Sequence, residues 1–251
     1  LTVHFGDRAY RDGVDMDGDA FFHTLATTKD LPRTSQPAPA AFLEVYDRLL
    51  AEGHEVVSVH VSATLSGTHN SAVLGRQDCT APDRVTVVDS RSTSMCMGMA
   101  VMAGARAAAS GGDTAAVLAA VEGVLRRVDL MLFVDTLEFL QRGGRIGAAR
   151  AFLGGLLSVK PLIALRNGEV VAIGQVRTRS RAIDRLRQWV FDAHSSIEGF
   201  TVLHTACEAD AQALFDELRQ RYPNAEAYLT QVGAVVGTHV GPGAIGVSLY
   251  G

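Results

Sequence analysis

The spacing of apolar and polar residues along the first part of the chain predicts strands and helices in alternation. Residues 55–61 form a β-branched run, and the small polar residues after it lead into a helical pattern that reaches Leu74. Residues 85–89 and 130–134 predict two further strands, each preceded by helical spacing. Such alternation is typical of a parallel, doubly wound α/β sheet, in which ligands bind at the carboxyl ends of strands. The loop after Val61 lies at such an end.

The pattern changes after Lys160. Apolar runs at residues 162–165 and 169–176 flank Asn167-Gly168, and Asn-Gly between two strands is a strong hairpin signal. Helical and strand-like segments then alternate up to a closing strand at residues 244–250. Hairpins combined with helices predict a smaller, mixed-sheet α+β domain.

Length and composition permit two such domains. The chain has 251 residues, of which 47% are hydrophobic and 20% charged, so it can bury an ample core. We place the boundary near Gly154-Gly155. The sequence therefore predicts a parallel α/β domain at residues 1–154 and a mixed-sheet α+β domain at residues 155–251.

The net charge limits the classes of binding partner, and the cysteine spacing indicates the cellular compartment. A net charge of −4 and a pI near 6.1 give no electrostatic footprint for nucleic acid. The sequence has no apolar run of transmembrane length and no signal peptide, which argues against stable membrane insertion. Cys79, Cys96 and Cys207 have neither metal-ligand nor redox spacing, so we expect free thiols in a reducing cytoplasm. The chain starts at Leu1 without Met, which leaves open whether a targeting segment precedes it.

An acidic segment near the amino terminus resembles a calcium loop only in part. Asp15, Asp17 and Asp19 alternate as calcium ligands do, but Ala20 and Ala26 stand where such a loop needs Gly and Glu. We therefore favour a solvated turn that caps the following helix. No metal site is expected.

The loop after the central strand offers the strongest chemical signal. Hydroxyl residues and a glycine stand at a predicted helix start, where free backbone N–H groups and the helix dipole favour an anion. These residues are Ser62, Thr64, Ser66, Gly67 and Thr68. A carboxylate or a phosphate fits such a site, and the alternative is that Ser66 or Thr68 is only an N-cap. The loop lacks the Gly-Lys-Ser/Thr of a Walker loop and the flanking glycines of a hydrolase elbow.

Several other polar residues stand out less strongly. Thr34 precedes a predicted helix and is interpreted as a loop or capping hydroxyl, and His239 opens a Gly-Pro-Gly turn that allows close approach of a ligand. Two groups of arginines also stand out: Arg142 and Arg145 follow a short helix, and Arg177, Arg179 and Arg181 alternate along the chain. Each of these side chains can be solvated or structural, or can contact an anion.

Five segments together resemble the DegV family of bacterial fatty-acid-binding proteins. They are Thr34-Ser35-Gln36-Pro37, the loop at residues 61–72, residues 137–146 (LEFLQRGGRI), Lys160-Pro161 and residues 239–246 (HVGPGAIG). The similarity follows the family's order along essentially the whole chain. The family carries an earlier strand and an Asp-Ser-Thr-like loop, which the present sequence lacks before Leu1.

The resemblance implies a role for the polar residues. It implies that hydroxyls of Thr34 and Ser66 and the imidazole of His239 hold the carboxylate of a long-chain fatty acid such as palmitate, with Ser35 and Gly67 beside them. It also implies that the acyl tail is buried between the two domains. The expected ligand is then a lipid rather than a cofactor.

The resemblance further implies a carrier subunit rather than an enzyme. In the family, such a protein presents the carboxyl group to a separate ATP-binding kinase subunit, and Arg177 and Arg179 are candidates for docking that partner. The alternative is a hydrolase or acyltransferase with Ser66 as nucleophile and His239 as base, although no third group is identifiable. A phosphocarrier that uses His239 is a third hypothesis, by analogy of fold alone.

Overall fold

The computed structural model describes residues 1–28, 31–155, 159–193 and 196–251. Its strands are β1 (Thr2–Phe5), β2 (Arg8–Arg11), β3 (Arg33–Ser35), β4 (Val56–His60), β5 (Val85–Asp89), β6 (Asp129–Phe133), β7 (Lys160–Arg166), β8 (Glu169–Val176), β9 (Gly199–His204), β10 (Glu226–Gln231) and β11 (Ile245–Tyr250). Its α-helices are α1 (Gly18–Thr27), α2 (Pro39–Ala51), α3 (Thr68–Asp78), α4 (Ser94–Ala109), α5 (Thr114–Leu125), α6 (Glu138–Arg142), α7 (Arg179–Ala193), α8 (Glu208–Arg221) and α9 (Ala234–Val240).

The α/β class predicted from the sequence is confirmed, with one parallel sheet and one mixed sheet. The contacts between Cα atoms divide the chain into two compact units. Unit 1 comprises residues 1–35 together with 128–251, and unit 2 comprises residues 36–127. The chain therefore passes from one unit to the other within the Thr34-Ser35-Gln36-Pro37 segment.

Unit 2 contains the central strand and loop. The β-branched strands β4 and β5 pair in parallel, from Val56 opposite Val85 to His60 opposite Asp89. Helix α2 begins with Pro39 at its first turn, where a missing N–H costs nothing. Its buried residues Tyr46 and Leu50 pack with Cys79 and Val85 in one apolar cluster.

Unit 1 is built on a mixed sheet with the strand order β10-β9-β11-β6-β7-β8. Register places Val202 opposite Val247 and Ile245 opposite Phe133, so these side chains share one face. Leu186 of α7 and Leu214 of α8 belong to the same buried cluster, which shows that both helices cover that face. Fully burying a side chain of this size stabilises the fold by about 1.5–3 kcal/mol.

The predicted hairpin in this sheet is confirmed. Strands β7 and β8 pair antiparallel around Asn167 and Gly168, whose φ angles are 53° and 83°. Positive φ at both central residues is the requirement of a type I′ turn, which Asn-Gly meets at low cost.

A second, small sheet of unit 1 has the order β2-β1-β3 and packs on α1 through Val3, Phe5 and Phe21. The acidic residues beside it have structural partners. Asp15 pairs with Arg11, and Asp17 accepts a 2.8 Å hydrogen bond from the N–H of Ala20 as the N-cap of α1. Within the described ranges, no group of three acidic, His or Cys side chains is arranged to hold a metal ion.

One strand has different partners from those that the sequence suggests. Strand β6, placed by its spacing in the parallel sheet, pairs antiparallel with both β7 and β11 in the mixed sheet. As a result, the compact units do not follow the predicted division at residue 154. The apolar run reveals a strand but carries no information on which strand it pairs with.

Candidate functional site

Two of the predicted site residues meet in unit 1. The hydroxyl Oγ1 of Thr34 lies 3.1 Å from Nε2 of His239. Thr34 is not in a loop, as the sequence suggests, but in β3, where it pairs with Val3 of β1, and His239 lies in the last turn of α9. Folding thus joins a hydroxyl and an imidazole that are 205 residues apart.

The surroundings of His239 keep its ring neutral. Burial, and in second place the positive charge of Arg145, lower the pKa of His239 to about 4. Its Nδ1 atom is buried and has no hydrogen-bond partner among the described residues. At neutral pH the ring is therefore uncharged, with Nε2 beside Thr34 and Nδ1 covered by Gly143.

Glycines of two sequence segments make room for this ring. A methyl group at Gly143 would overlap Nδ1 of His239, and one at Gly241, where φ is +76°, would overlap the ring of Phe139. The segment at residues 137–146 and the turn after His239 therefore pack against each other. Glycine is required at both positions for close approach.

The two arginines of the first segment have structural contacts. Arg142 forms an ion pair with Glu138, at 2.5 Å between Nη2 and Oε1. Arg145 donates from Nη1 to the carbonyl of Gly143 at 2.8 Å, just after the end of α6. This contact is the common role of an arginine at a helix C-terminus, and the charge of Arg145 still acts on His239.

In unit 2, the predicted loop has a hydroxyl at a helix N-terminus. Helix α3 begins at Thr68 with Gly67 as the N-cap, which makes no side-chain capping bond. The Oγ atom of Ser66 accepts a 3.2 Å hydrogen bond from the N–H of Thr68 and lies 2.8 Å from its hydroxyl. Neither Ser66 nor Thr68 is thus the N-cap residue, but Ser66 still satisfies one N–H of the first turn.

Gly67 is closely packed against Gln36, a residue that the sequence did not single out by itself. A methyl group at Gly67 would overlap the amide of Gln36, whose Nε2 donates to Oγ of Ser71 at 3.4 Å. Thr34 in unit 1 and Gln36 in unit 2 are two residues apart. One four-residue motif therefore contributes side chains to both candidate regions.

Sequence reasoning missed a partly buried polar network in unit 2. Tyr46 donates to Oγ of Ser58 at 2.8 Å, and that oxygen lies 2.7 Å from Nε2 of His60. Burial, with a smaller effect of His69, lowers the pKa of His60 to about 4. The only signal in the sequence is a Ser and a His on alternate positions of an otherwise β-branched strand.

Ser35 does not join Thr34 in the structure. Its hydroxyl lies 2.8 Å from Nε2 of His4 and is exposed. Successive side chains of a strand project to opposite faces, so a single β3 strand cannot direct both hydroxyls to His239.

The two arginines predicted to dock a partner are in different environments. Arg177 is exposed in the turn between β8 and α7. Arg179 begins α7 and directs its guanidinium inward, with 2.6 Å between Nε and Asp210 and 2.5 Å between Nη1 and the carbonyl of Gly243. The extended segment assumed for Arg177, Arg179 and Arg181 ends at Val176, because a helix follows it.

The hydrolase alternative finds no support in these contacts. The hydroxyl of Ser66 meets Thr68, and the imidazole of His239 meets Thr34. A nucleophile requires a base at hydrogen-bond distance and a third group that orients the base.

The fold and these contacts describe an α/β protein in which a neutral imidazole and a threonine hydroxyl lie side by side. A family model described as "Uncharacterised protein, DegV family" matches residues 1–251. The chain is 40% identical over 250 residues to a DegV domain-containing protein of Streptomyces coelicolor, which covers 98% of this chain and 88% of the relative. This chain belongs to the DegV family.

Solved structures show the same fold. A DegV family protein from Thermus thermophilus, described as fatty acid binding, matches with a TM-score of 0.91 and 36% identity over 99% of this chain and 89% of its own. DegV of Bacillus subtilis, described as a fatty acid binding protein, matches with a TM-score of 0.89 and 30% identity over 100% of this chain and 90% of its own.

In the described part of the chain, no helix has the length and apolar character needed to cross a bilayer.

Proposed function

We propose that this protein binds a long-chain fatty acid such as palmitate and holds its carboxylate with Thr34, His239, Ser66 and the backbone at Gly67. The observation that carries the proposal is the Thr34–His239 pair, with 3.1 Å between Oγ1 and Nε2. The likeness to two fatty-acid-binding proteins, at 36% and 30% identity, supports the same ligand class.

The loop in unit 2 favours carboxylate binding through the N-terminus of a helix. Ser66 lies at the N-terminus of α3, an 11-residue helix whose dipole favours negative charge. A methyl group at position 67 would overlap the amide of Gln36, so the glycine lets Gln36 pack closely against the start of this helix.

Tail and head of the ligand contribute unequally to affinity. Burying some fifteen methylenes at about 0.8 kcal/mol each gives on the order of 12 kcal/mol before ordering costs. A hydrogen bond to a charged group contributes only about 1.5–3 kcal/mol. The tail therefore provides most of the affinity, and the polar residues select an acid over other lipids with the same tail.

A comparison of palmitate with hexadecanol tests this division. The two ligands share a sixteen-carbon chain and differ in the head group, so the ratio of their dissociation constants isolates the carboxylate contacts. We expect palmitate to bind at least about tenfold more tightly, since tenfold corresponds to about 1.4 kcal/mol. Equal affinities would contradict a carboxylate site, and no binding of either would contradict the lipid-carrier function as a whole.

We further propose that the protein presents the carboxylate to a separate ATP-binding kinase subunit in the bacterial cytoplasm. The sequence carries no Walker loop, so a nucleotide would come with the partner. Arg177 is exposed and free to meet an acidic surface of that partner. Cys79 and Cys207 are free thiols, which suits a reducing compartment.

Reversing the charge at Arg177 tests the docking surface. We expect Arg177→Glu to lower the acyl-phosphate formation rate of the reconstituted pair while the dissociation constant for palmitate stays unchanged. Arg181→Glu, a similar exposed change on the first turn of α7, serves as the matched control. Equal loss of lipid binding and kinase activity in Arg177→Glu would contradict the docking role.

A further inference from the structure

Arg179 joins three separate parts of unit 1. Its Nε donates to Oδ2 of Asp210 at 2.6 Å, and its Nη1 donates to the carbonyl of Gly243 at 2.5 Å. The guanidinium also lies over the ring of Phe133, 5.2 Å from its centroid. With a side-chain exposure of 29%, the residue is mostly inside the protein rather than on a docking surface.

Arg179 contacts the turn at Gly243 and Ala244, whose other backbone groups already form hydrogen bonds. The N–H of Gly243 donates to the carbonyl of Thr205 at 2.8 Å, and the N–H of Ala244 donates to Oγ1 of Thr205 at 2.7 Å. The carbonyl of Ala244 accepts from the N–H of Thr205 at 3.0 Å and from Sγ of Cys207 at 3.2 Å. Arg179 provides the donor for the remaining carbonyl of this pair, that of Gly243.

This turn follows His239 by only a few residues. Between them, Gly241 has a φ of +76° and lies against Phe139, and Gly243 has a φ of +82° and lies against Asp135. Lys160 in turn holds Asp135 at 2.8 Å. A backbone fixed at Gly241 and at Gly243 leaves little freedom for the end of α9, which carries the imidazole.

We propose that Arg179 is a positioning residue for the carboxylate site, and this inference rests on the proposed function. Through the carbonyl of Gly243 it holds the Gly-Pro-Gly turn that keeps the imidazole of His239 against Thr34. The fork of a guanidinium donates in two directions at once, here to Asp210 and to Gly243. A lysine ammonium is a compact point charge and does not reproduce this geometry.

The electrostatics of Arg179 agree with this arrangement. Burial lowers its pKa, but the hydrogen bonds that Arg179 donates to Asp210 and Cys207 outweigh that effect and raise the pKa above its usual range. The residue therefore stays charged at every working pH, and its contacts with the turn do not titrate.

The test compares Arg179→Gln and Arg179→Lys with the exposed control Arg181→Gln. The main readout is the NMR titration of His239 in delipidated protein, with His239→Asn used to assign its signals. Arg145 is the charged group that acts on this ring, and it is unchanged in all three variants. We expect Arg179→Gln to hydrate the ring and move its midpoint from about 4 toward 6.5. The dissociation constant for palmitate should rise about tenfold.

Arg179→Lys separates positioning from general stability. The ammonium can keep the ion pair with Asp210, so the melting temperature should recover toward that of the wild type, while the His239 midpoint stays raised because Gly243 has lost its donor. The proposal would be overturned if Arg179→Gln and Arg179→Lys both lowered the melting temperature but left the titration midpoint of His239 unchanged. It would also be overturned if Arg181→Gln moved the His239 midpoint as far as Arg179→Gln does. The titration needs no lipid, so a protein without fatty acid would refute the proposed function without deciding the role of Arg179.

Discussion

The hydroxyl of Thr34 is the most direct point at which to test the carboxylate site. Thr34→Val keeps the β-branched shape that suits β3 and removes only the oxygen that lies 3.1 Å from Nε2 of His239. The variant loses one hydrogen bond to a charged ligand, worth about 1.5–3 kcal/mol. The dissociation constant for palmitate should therefore rise by about 10- to 150-fold.

The tail contacts are unchanged, so the variant should still bind. Affinity can be followed by displacement of a fluorescent fatty acid at neutral pH. Thr2→Val provides the matched control, because it makes the same substitution on β1, directly opposite Ser35 of β3. An affinity of Thr34→Val within twofold of the wild type would refute the assignment, provided that both variants melt at similar temperatures.

Three further predictions address the neighbouring groups. Ser66→Ala should weaken palmitate retention by about tenfold, and the wild type should be silent toward activated esters; ester turnover abolished by this change would instead revive the hydrolase hypothesis. Gly143→Ala should displace His239 and weaken palmitate binding, because its methyl group would overlap Nδ1, and unchanged binding would show that the ring is not held there. The pKa values of His60 and His239 are lowered to about 4 in the folded state, so the stability that their neutral forms contribute is present above about pH 6.5 and is lost as pH falls toward 4. Denaturant titrations at pH 7 and pH 4.5 should show this loss, reduced in His60→Asn, and a flat profile would contradict the buried, neutral histidines.

The local elements were predictable from sequence because their causes are local. Runs of β-branched residues predict β4 and β5, and the Asn167-Gly168 turn carries its own backbone chemistry. The pairing of β6 was not predictable, because its partners lie elsewhere in the chain and an apolar run is compatible with either sheet.

In the candidate site, too, the long-range contacts were not predictable from the sequence. Thr34 and His239 were named from a family resemblance, and their contact could not follow from spacing, since it joins β3 to α9 across 205 residues. The resemblance implies Ser35 beside Thr34, but the two residues lie in a strand, where their hydroxyls project to opposite faces. Arg179 was assigned to the surface because no sequence pattern reveals Asp210 and Gly243 as its partners.

Native mass spectrometry of the protein purified from bacteria shows whether a fatty acid is bound. We expect one adduct per chain with the mass of a long-chain fatty acid, which organic solvent releases and Thr34→Val reduces. A folded protein that carries no adduct, and that takes up none from added palmitate, would contradict it.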